Sequence, residues 1–174
     1  MKTRYKGILF KSVLEARTAF VLDKLNIIWE YEPDCFIVEG NSFIPDFKIG
    51  KNSYIECKGD LSKEQRDFHS SFAINCNKDI LLISFDELFF YNGTEKIIDT
   101  DSKLIPANEE NSFSLLECSS CALRTFITSL YSFFCRDCGN YEGDHDIKDT
   151  FLELKGLKGI YKYLKLEWRK PQNE

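Results

Sequence analysis

Two rhythms of polar and apolar residues run through the first half of the chain. Ser12-Val13-Leu14-Glu15 has capping-box spacing and no Gly or Pro interrupts residues 16–25, which predicts a helix over residues 12–25. Segments 27–32, 35–39, 43–49 and 53–58 are β-rich and are separated by Pro33-Asp34, Gly40-Asn41 and Gly50-Lys51-Asn52. A second box, Ser62 to Gln65, opens a helix over residues 62–74. The apolar run 80–85 reads as a buried strand, and 88–91 with 96–98 as a hairpin around Asn92-Gly93. This order predicts an α/β fold, a mixed β-sheet flanked by helices.

Length adds that 174 residues make one ordinary domain and a small appendage. With 43% hydrophobic residues, including 15 Phe and 8 Tyr, the chain can build a core and is too aromatic for disorder. Lys and Arg number 23 against 28 Asp and Glu, a net charge of −5, which excludes a polycation that coats nucleic acid by charge alone. Charge is unevenly spread, however. Residues 79–110 carry eight acids against Lys96 and Lys103, whereas 155–170 carry six cations against Glu167. The polar run 99–111, with Pro106, reads as a linker, so the expected units are 1–105, a cysteine module over 112–142 and a basic amphipathic tail over 147–170. No apolar run reaches the roughly 18 to 20 residues of a membrane span, and Ile8-Leu9-Phe10 is too short for a signal peptide. The expectation is a soluble, cytoplasmic protein without a membrane partner.

Candidate chemistry lies around Lys51. If the chain reverses there, Asp46 and Glu56 stand equally far from the bend and oppose one another on adjacent strands. Opposed like charges, with Cβ atoms about 4.5 to 5.5 Å apart, are destabilising. Relief requires either a carboxyl with a raised pKa or a divalent cation between the pair. Strand alternation puts Glu56 and Lys58 on one face and Ile55 and Cys57 on the other, so an ammonium flanks the same spot, which suits a phosphate. Glu15 is a third carboxylate, with Leu22 and Ala19 as angular neighbours on its helix. Its alternative role is to complete the Ser12 capping box. Gln65 fits its own capping box as well as a polar contact to the cleft, and His69 reads as an ordinary surface or helix residue.

The ordered set Phe10-x-Ser12-x-x-Glu15-Ala16, Trp29-Glu30-Tyr31-Glu32-Pro33, Pro45-Asp46-Phe47 and Tyr54-Ile55-Glu56-Cys57-Lys58-Gly59 resembles the PD-(D/E)XK nuclease superfamily, with its restriction-endonuclease-like fold. It is most similar to the subset with a catalytic Glu in the first helix, which includes junction-resolving enzymes and small phage or mobile-element endonucleases. The resemblance covers residues 5–85. It implies catalytic roles for Glu15, Asp46, Glu56 and Lys58, with Mg²⁺ or Mn²⁺ held by Asp46, Glu56 and the backbone carbonyl of Cys57, and Glu15 supporting the same or a second ion. Lys58 would hold or help deprotonate the attacking water and offset charge on the phosphorus oxygens. The implied activity is hydrolysis of DNA to 5′-phosphate ends, with branched, linear, single-stranded and nicked substrates all open, and with a homodimer needed for double-strand cuts. The competing reading is a non-catalytic nucleic-acid- or protein-binding module.

Cys118-x2-Cys121 and Cys135-x2-Cys138 have the spacing of a four-cysteine zinc ribbon, whose tetrahedral thiolate site is structural. Two disulfides are the alternative, but nothing marks the chain as secreted. Residues between the pairs, among them Arg124, Phe126 and Tyr131, suit either nucleic acid or docking on the first domain. Lys155, Lys158, Lys162, Lys165 and Arg169 recur at intervals of 3 and 4, a helical face able to follow a DNA backbone. A merely solvated face has the same pattern, and Gly156 and Gly159 weaken that helix.

Overall fold

In a computed structural model, the described residues are 2–24, 26–84, 88–91, 93, 105–106, 114–118, 120–122, 124–127, 133–135, 138–142 and 151–152. The chain enters through a hairpin, β1 (Thr3–Tyr5) and β2 (Ile8–Phe10), turned by Lys6 and Gly7 at φ 46° and 81°. Positive φ at both central residues matches the right-handed twist of the strands, and Gly adopts it without cost. Sequence reading expected no element here. Helix α1 (Val13–Lys24) comes after it with the predicted start, and Leu14, Ala19, Val21 and Leu22 are buried along it.

Short strands β3 (Glu30–Tyr31), β4 (Phe36–Val38) and β5 (Asn41–Phe43) come next. The strand predicted over 43–49 is split in two, with β6 (Phe47–Lys48) starting after Pro45. Proline has no N–H for a ladder and interrupts the run there. Strand β7 (Ser53–Cys57) is buried throughout, and α2 (Lys63–Cys76) leads to β8 (Asp79–Ile83), equally buried and parallel to β7. Both halves of the Ser62–Gln65 capping box are formed. Gln65 is therefore engaged at the helix start, with its Oε1 accepting from the Ser62 N–H at 3.3 Å.

Strand β9 (Leu88–Tyr91) pairs antiparallel with β8 and with β10 (Ile105–Pro106). Ile105–Pro106, placed by sequence in the linker, is thus an edge strand, where a proline's missing donor costs least. Residues 96–98, the predicted hairpin partner, lie outside the described residues. The resulting six-stranded mixed sheet has the order β10-β9-β8-β7-β6-β3. One face packs Ile55, Cys57, Leu81 and Ile83 with α1, and the other packs Tyr54, Ile80 and Leu82 with Phe72 and Ala73 of α2. No helix among the described residues is long and apolar enough to cross a membrane.

Beyond the sheet, β11 (Ser114–Glu117) and β12 (Arg124–Ile127) form one hairpin, and β13 (Phe133–Phe134) and β14 (Tyr141–Glu142) another. Strand β15 (Phe151–Leu152) returns to pair with β11, so the segment read as the start of a basic tail contributes a strand here. Lys155, Lys158, Lys162, Lys165 and Arg169 lie outside the described residues.

His69 lies within α2, in keeping with an ordinary surface or helix residue, but on its buried side. It is 2% exposed on the inner side of α2, edge-on to Phe43 and Phe68. Nδ1 lies 2.6 Å from the Gln65 carbonyl, which can only accept, so Nδ1 carries the proton and the buried Nε2 has no partner among the described residues. Burial pushes the imidazole from its ordinary 6.5 down to about 4, with the Lys58 charge acting in the same direction and the Gln65 contact opposing it. A depressed histidine contributes stability that is present above the unfolded value and lost as pH falls toward the folded one. Unfolding free energy should therefore fall between pH 7 and pH 4 by about 2 to 3 kcal/mol more in the wild type than in His69→Phe. Urea unfolding at several pH values checks this, and parallel profiles would contradict it.

Candidate functional site

Strands β6 and β7 pair as Phe47↔Ile55 and Lys48↔Tyr54, the register expected for a reversal centred on Lys51. One further rung sets Asp46 opposite Glu56. Both are buried, at 7% and 2% exposure, and the side chains reach across reciprocally. The Asp46 N–H donates to Glu56 Oε2 at 3.0 Å, and the Cys57 N–H donates to Asp46 Oδ2 at 2.7 Å. Lys58 Nζ lies 2.6 Å from Glu56 Oε1. The fold thus meets the opposed charges with strand donors and one ammonium.

Residual strain shows in the acidities. Burial raises the Asp46 pKa, and the Glu56 charge raises it further against the Cys57 N–H. Burial also raises Glu56, although Lys58 opposes it by charge and by hydrogen bond. For Lys58, burial works against the ammonium, but Glu56 outweighs it and the group is held above its ordinary range. Lys58 is therefore a fixed cation at neutral pH. Cys57 turns its thiol away to Thr18 Oγ1, 3.3 Å distant, and burial pushes that thiol well above the usual range.

Glu15 sits at the start of α1 and is 5% exposed. Its capping box is only half formed: the Glu15 N–H donates to Ser12 Oγ at 3.1 Å, but the carboxylate does not return to Ser12. Instead Oε2 accepts from the Lys11 N–H at 3.0 Å and from the Tyr31 hydroxyl at 2.6 Å. Tyr31 is wedged against Phe10 and Phe47, which fixes its hydroxyl. Burial and the Glu15 contact push the Tyr31 phenol pKa well above its ordinary value, so it remains a donor. Glu32, at a left-handed φ of 48°, pairs with Lys11 Nζ, and its N–H donates to the Asp46 carbonyl at 2.9 Å. Tyr31, Lys11 and Glu32 were given no role from sequence. The nearest signal was Tyr31 and Glu32 lying within the Trp29–Pro33 run.

These donors leave Asp46 Oδ1 and Glu15 Oε1 without a hydrogen bond to any described residue. Hard, partly uncommitted carboxylate oxygens fit Mg²⁺ or Mn²⁺, which keep several waters and take one or two carboxylates. Among the described residues, the cluster of three or more ligating residues with donors all within 4.8 Å of one another is instead the four cysteines. Glu15, Asp46 and Glu56 together do not gather that tightly.

In the cysteine cluster, Sγ of Cys118 lies 3.7 Å from that of Cys138, and Cys121 is equally far from Cys135. All four are free thiols rather than disulfides. The pairs are built alike: Ala122 donates to the Cys118 carbonyl and Gly139 to the Cys135 carbonyl, both at 2.8 Å, and both residues have positive φ. Each pair turns a hairpin of its own, β11–β12 and β13–β14. Burial opposes ionisation of Cys118, but the Cys121 and Ser120 N–H groups and the neighbouring thiols overcome it, bringing the pKa to about 7. Four thiolate donors at this spacing suit zinc. Scans against protein-family models, curated proteins and solved structures each find no match to this chain.

Two outcomes are expected. Tyr31→Phe removes a hydrogen bond to a buried carboxylate and should cost about 1.5 to 3 kcal/mol in urea unfolding, but far less in a Glu15→Ala background. Equal costs in both would mean that the Tyr31 hydroxyl acts through a partner other than Glu15. The purified chain should hold one equivalent of zinc by elemental analysis, released by a mercurial reagent, and Cys135→Ser should hold much less. A metal-free chain, or equal zinc in both, would contradict the cysteine site.

Proposed function

We propose that this protein is a metal-dependent DNA endonuclease of restriction-endonuclease-like fold, with a structural zinc ribbon. The observation that carries this reading is the meeting of Asp46, Glu56 and Lys58 at the β6–β7 ribbon, with the two opposed carboxylates cross-pinned by backbone N–H groups and Lys58 held charged beside them. Asp46 and Glu56, with the Cys57 carbonyl, would hold Mg²⁺ or Mn²⁺, and Glu15 would support it. When bound, the ion polarises a phosphoryl oxygen and lowers the pKa of a coordinated water.

The chain's own groups do the rest. Lys58, an ammonium already stabilised by Glu56, offsets negative charge on the non-bridging oxygens as hydroxide adds to phosphorus. Water supplies OH to phosphorus and H to the departing 3′ oxygen, leaving a 5′-phosphate and a 3′-hydroxyl. Tyr31 and the Lys11 N–H fix one oxygen of Glu15 and leave the other available. The intracellular setting is inferred from four reduced cysteines poised for a metal.

Supercoiled, linear, single-stranded and four-way-junction DNA, incubated with and without Mg²⁺, test this reading. Wild type should cut at least one of them only with Mg²⁺, and end-labelling should find 5′-phosphates. Lys58→Ala, checked for folding by circular dichroism, should lose about 100-fold or more in rate. Undiminished cutting by that variant would overturn the assigned site. Binding without cutting by a folded wild type would favour the non-catalytic module.

A further inference from the structure

The outward face of the first hairpin is cationic and runs up to the carboxylate site. Its register, Thr3↔Phe10, Arg4↔Leu9 and Tyr5↔Ile8, turns Tyr5 and Phe10 inward, where Tyr5 meets Phe20 and Phe10 meets Tyr31. Lys2, Arg4, Leu9 and Lys11 point the other way and are exposed. One further rung sets Lys2 opposite Lys11, and residues 2–11 contain no acid. Opposed cations repel as opposed anions do. The fold offsets part of this charge: Lys11 pairs with Glu32, and Lys6, at the turn, with Asp23 at 2.8 Å. Lys2 and Arg4 have no ion pair with a described residue.

We propose that this face binds the sugar–phosphate backbone of duplex DNA beside the phosphate to be cut, an inference that rests on the nuclease reading. A site of buried carboxylates repels a polyanion, so cations next to it must hold the substrate against that repulsion. The strip is joined to the site directly, since the N–H of Lys11 donates to Glu15 at 3.0 Å. Lys2 and Arg4 are two residues apart, roughly 6.8 Å along a strand. One DNA strand rises about 3.4 Å per phosphate along the helix axis, and because its backbone winds around that axis successive phosphates stand farther apart than the rise, so the two cations match neighbouring phosphates. In a chain of net charge −5, such a local strip supplies the attraction that the whole molecule lacks.

The test compares wild type, the double variant Lys2→Gln/Arg4→Gln, and Lys51→Gln, which removes one cation at the far end of the β6–β7 ribbon. Anisotropy of a short labelled duplex in Mg²⁺-free buffer gives affinity against salt. The double variant should flatten the slope of log K against log salt by about 1.8, or 0.9 per lost phosphate contact, while Lys51→Gln leaves it unchanged. In cleavage with Mg²⁺, the double variant should raise KM and keep kcat. An unchanged slope, an equal loss in Lys51→Gln, or a fall in kcat at constant KM would each overturn the proposal. The two readings separate. If wild type cuts no DNA, the nuclease reading falls and the salt slopes still decide the face. If Lys58→Ala abolishes cutting while the double variant binds like wild type, the nuclease reading stands and the face is rejected.

Discussion

Two carboxylates on facing rungs of one ribbon, both out of water, repel each other and lose hydration at once. Asp46 and Glu56 tolerate this because each takes an N–H from the other's strand and because Lys58, two residues beyond Glu56, brings a charge to the same face. Replacing one partner would leave an uncompensated buried charge, which is why breaking such a pair costs more than the pair is worth. The arrangement stores unfavourable electrostatics, visible as raised pKa values at both carboxyls, and a bound cation would relieve it.

Much of the surrounding structure serves that geometry. The buried parallel pair β7–β8 fixes the strand carrying Glu56, and the Lys58 N–H extends the ladder to the Ile83 carbonyl at 2.8 Å. Asp46 lies in the gap between β5 and β6, where its N–H goes to a side chain instead of a neighbouring strand. Tyr31, packed between Phe10 and Phe47, ties the start of α1 to the edge of the sheet through Glu15. The cysteine cluster is a separate solution to a different shortage, since two short hairpins bury little apolar surface and four thiols that take up a metal can substitute for a core.

What was legible in the sequence were features set by local period and spacing. The register of Asp46 against Glu56 comes from counting around Lys51, the second capping box from Ser62 and Gln65, and the cysteine cluster from two Cys-x2-Cys pairs. What escaped depends on tertiary placement. His69 looks like any polar helix residue until Phe43 and Phe68 close over it. Glu15 fits a capping box in sequence, yet its carboxylate is drawn off by Tyr31, sixteen residues away. The Ile105–Pro106 strand lies in a polar run and exists only because β9 offers an edge. The first hairpin was missed although Lys6-Gly7 between alternating residues is a turn signal.

Charge ties these features into one argument. The chain is acidic overall and its candidate centre is more acidic still, so nothing in its global field draws in a phosphate. Cations near that centre are therefore divided by burial. Lys58 is half-buried, paired with Glu56 and fixed, which suits a group that must face one developing charge. Lys2 and Arg4 are exposed and hydrated, which suits contact with a backbone that is gripped and released. Lys11 belongs to both sets. Its ammonium pairs with Glu32 at the surface while its N–H holds Glu15, so the hairpin that would meet a polyanion is also the hairpin that orients a carboxylate of the candidate centre.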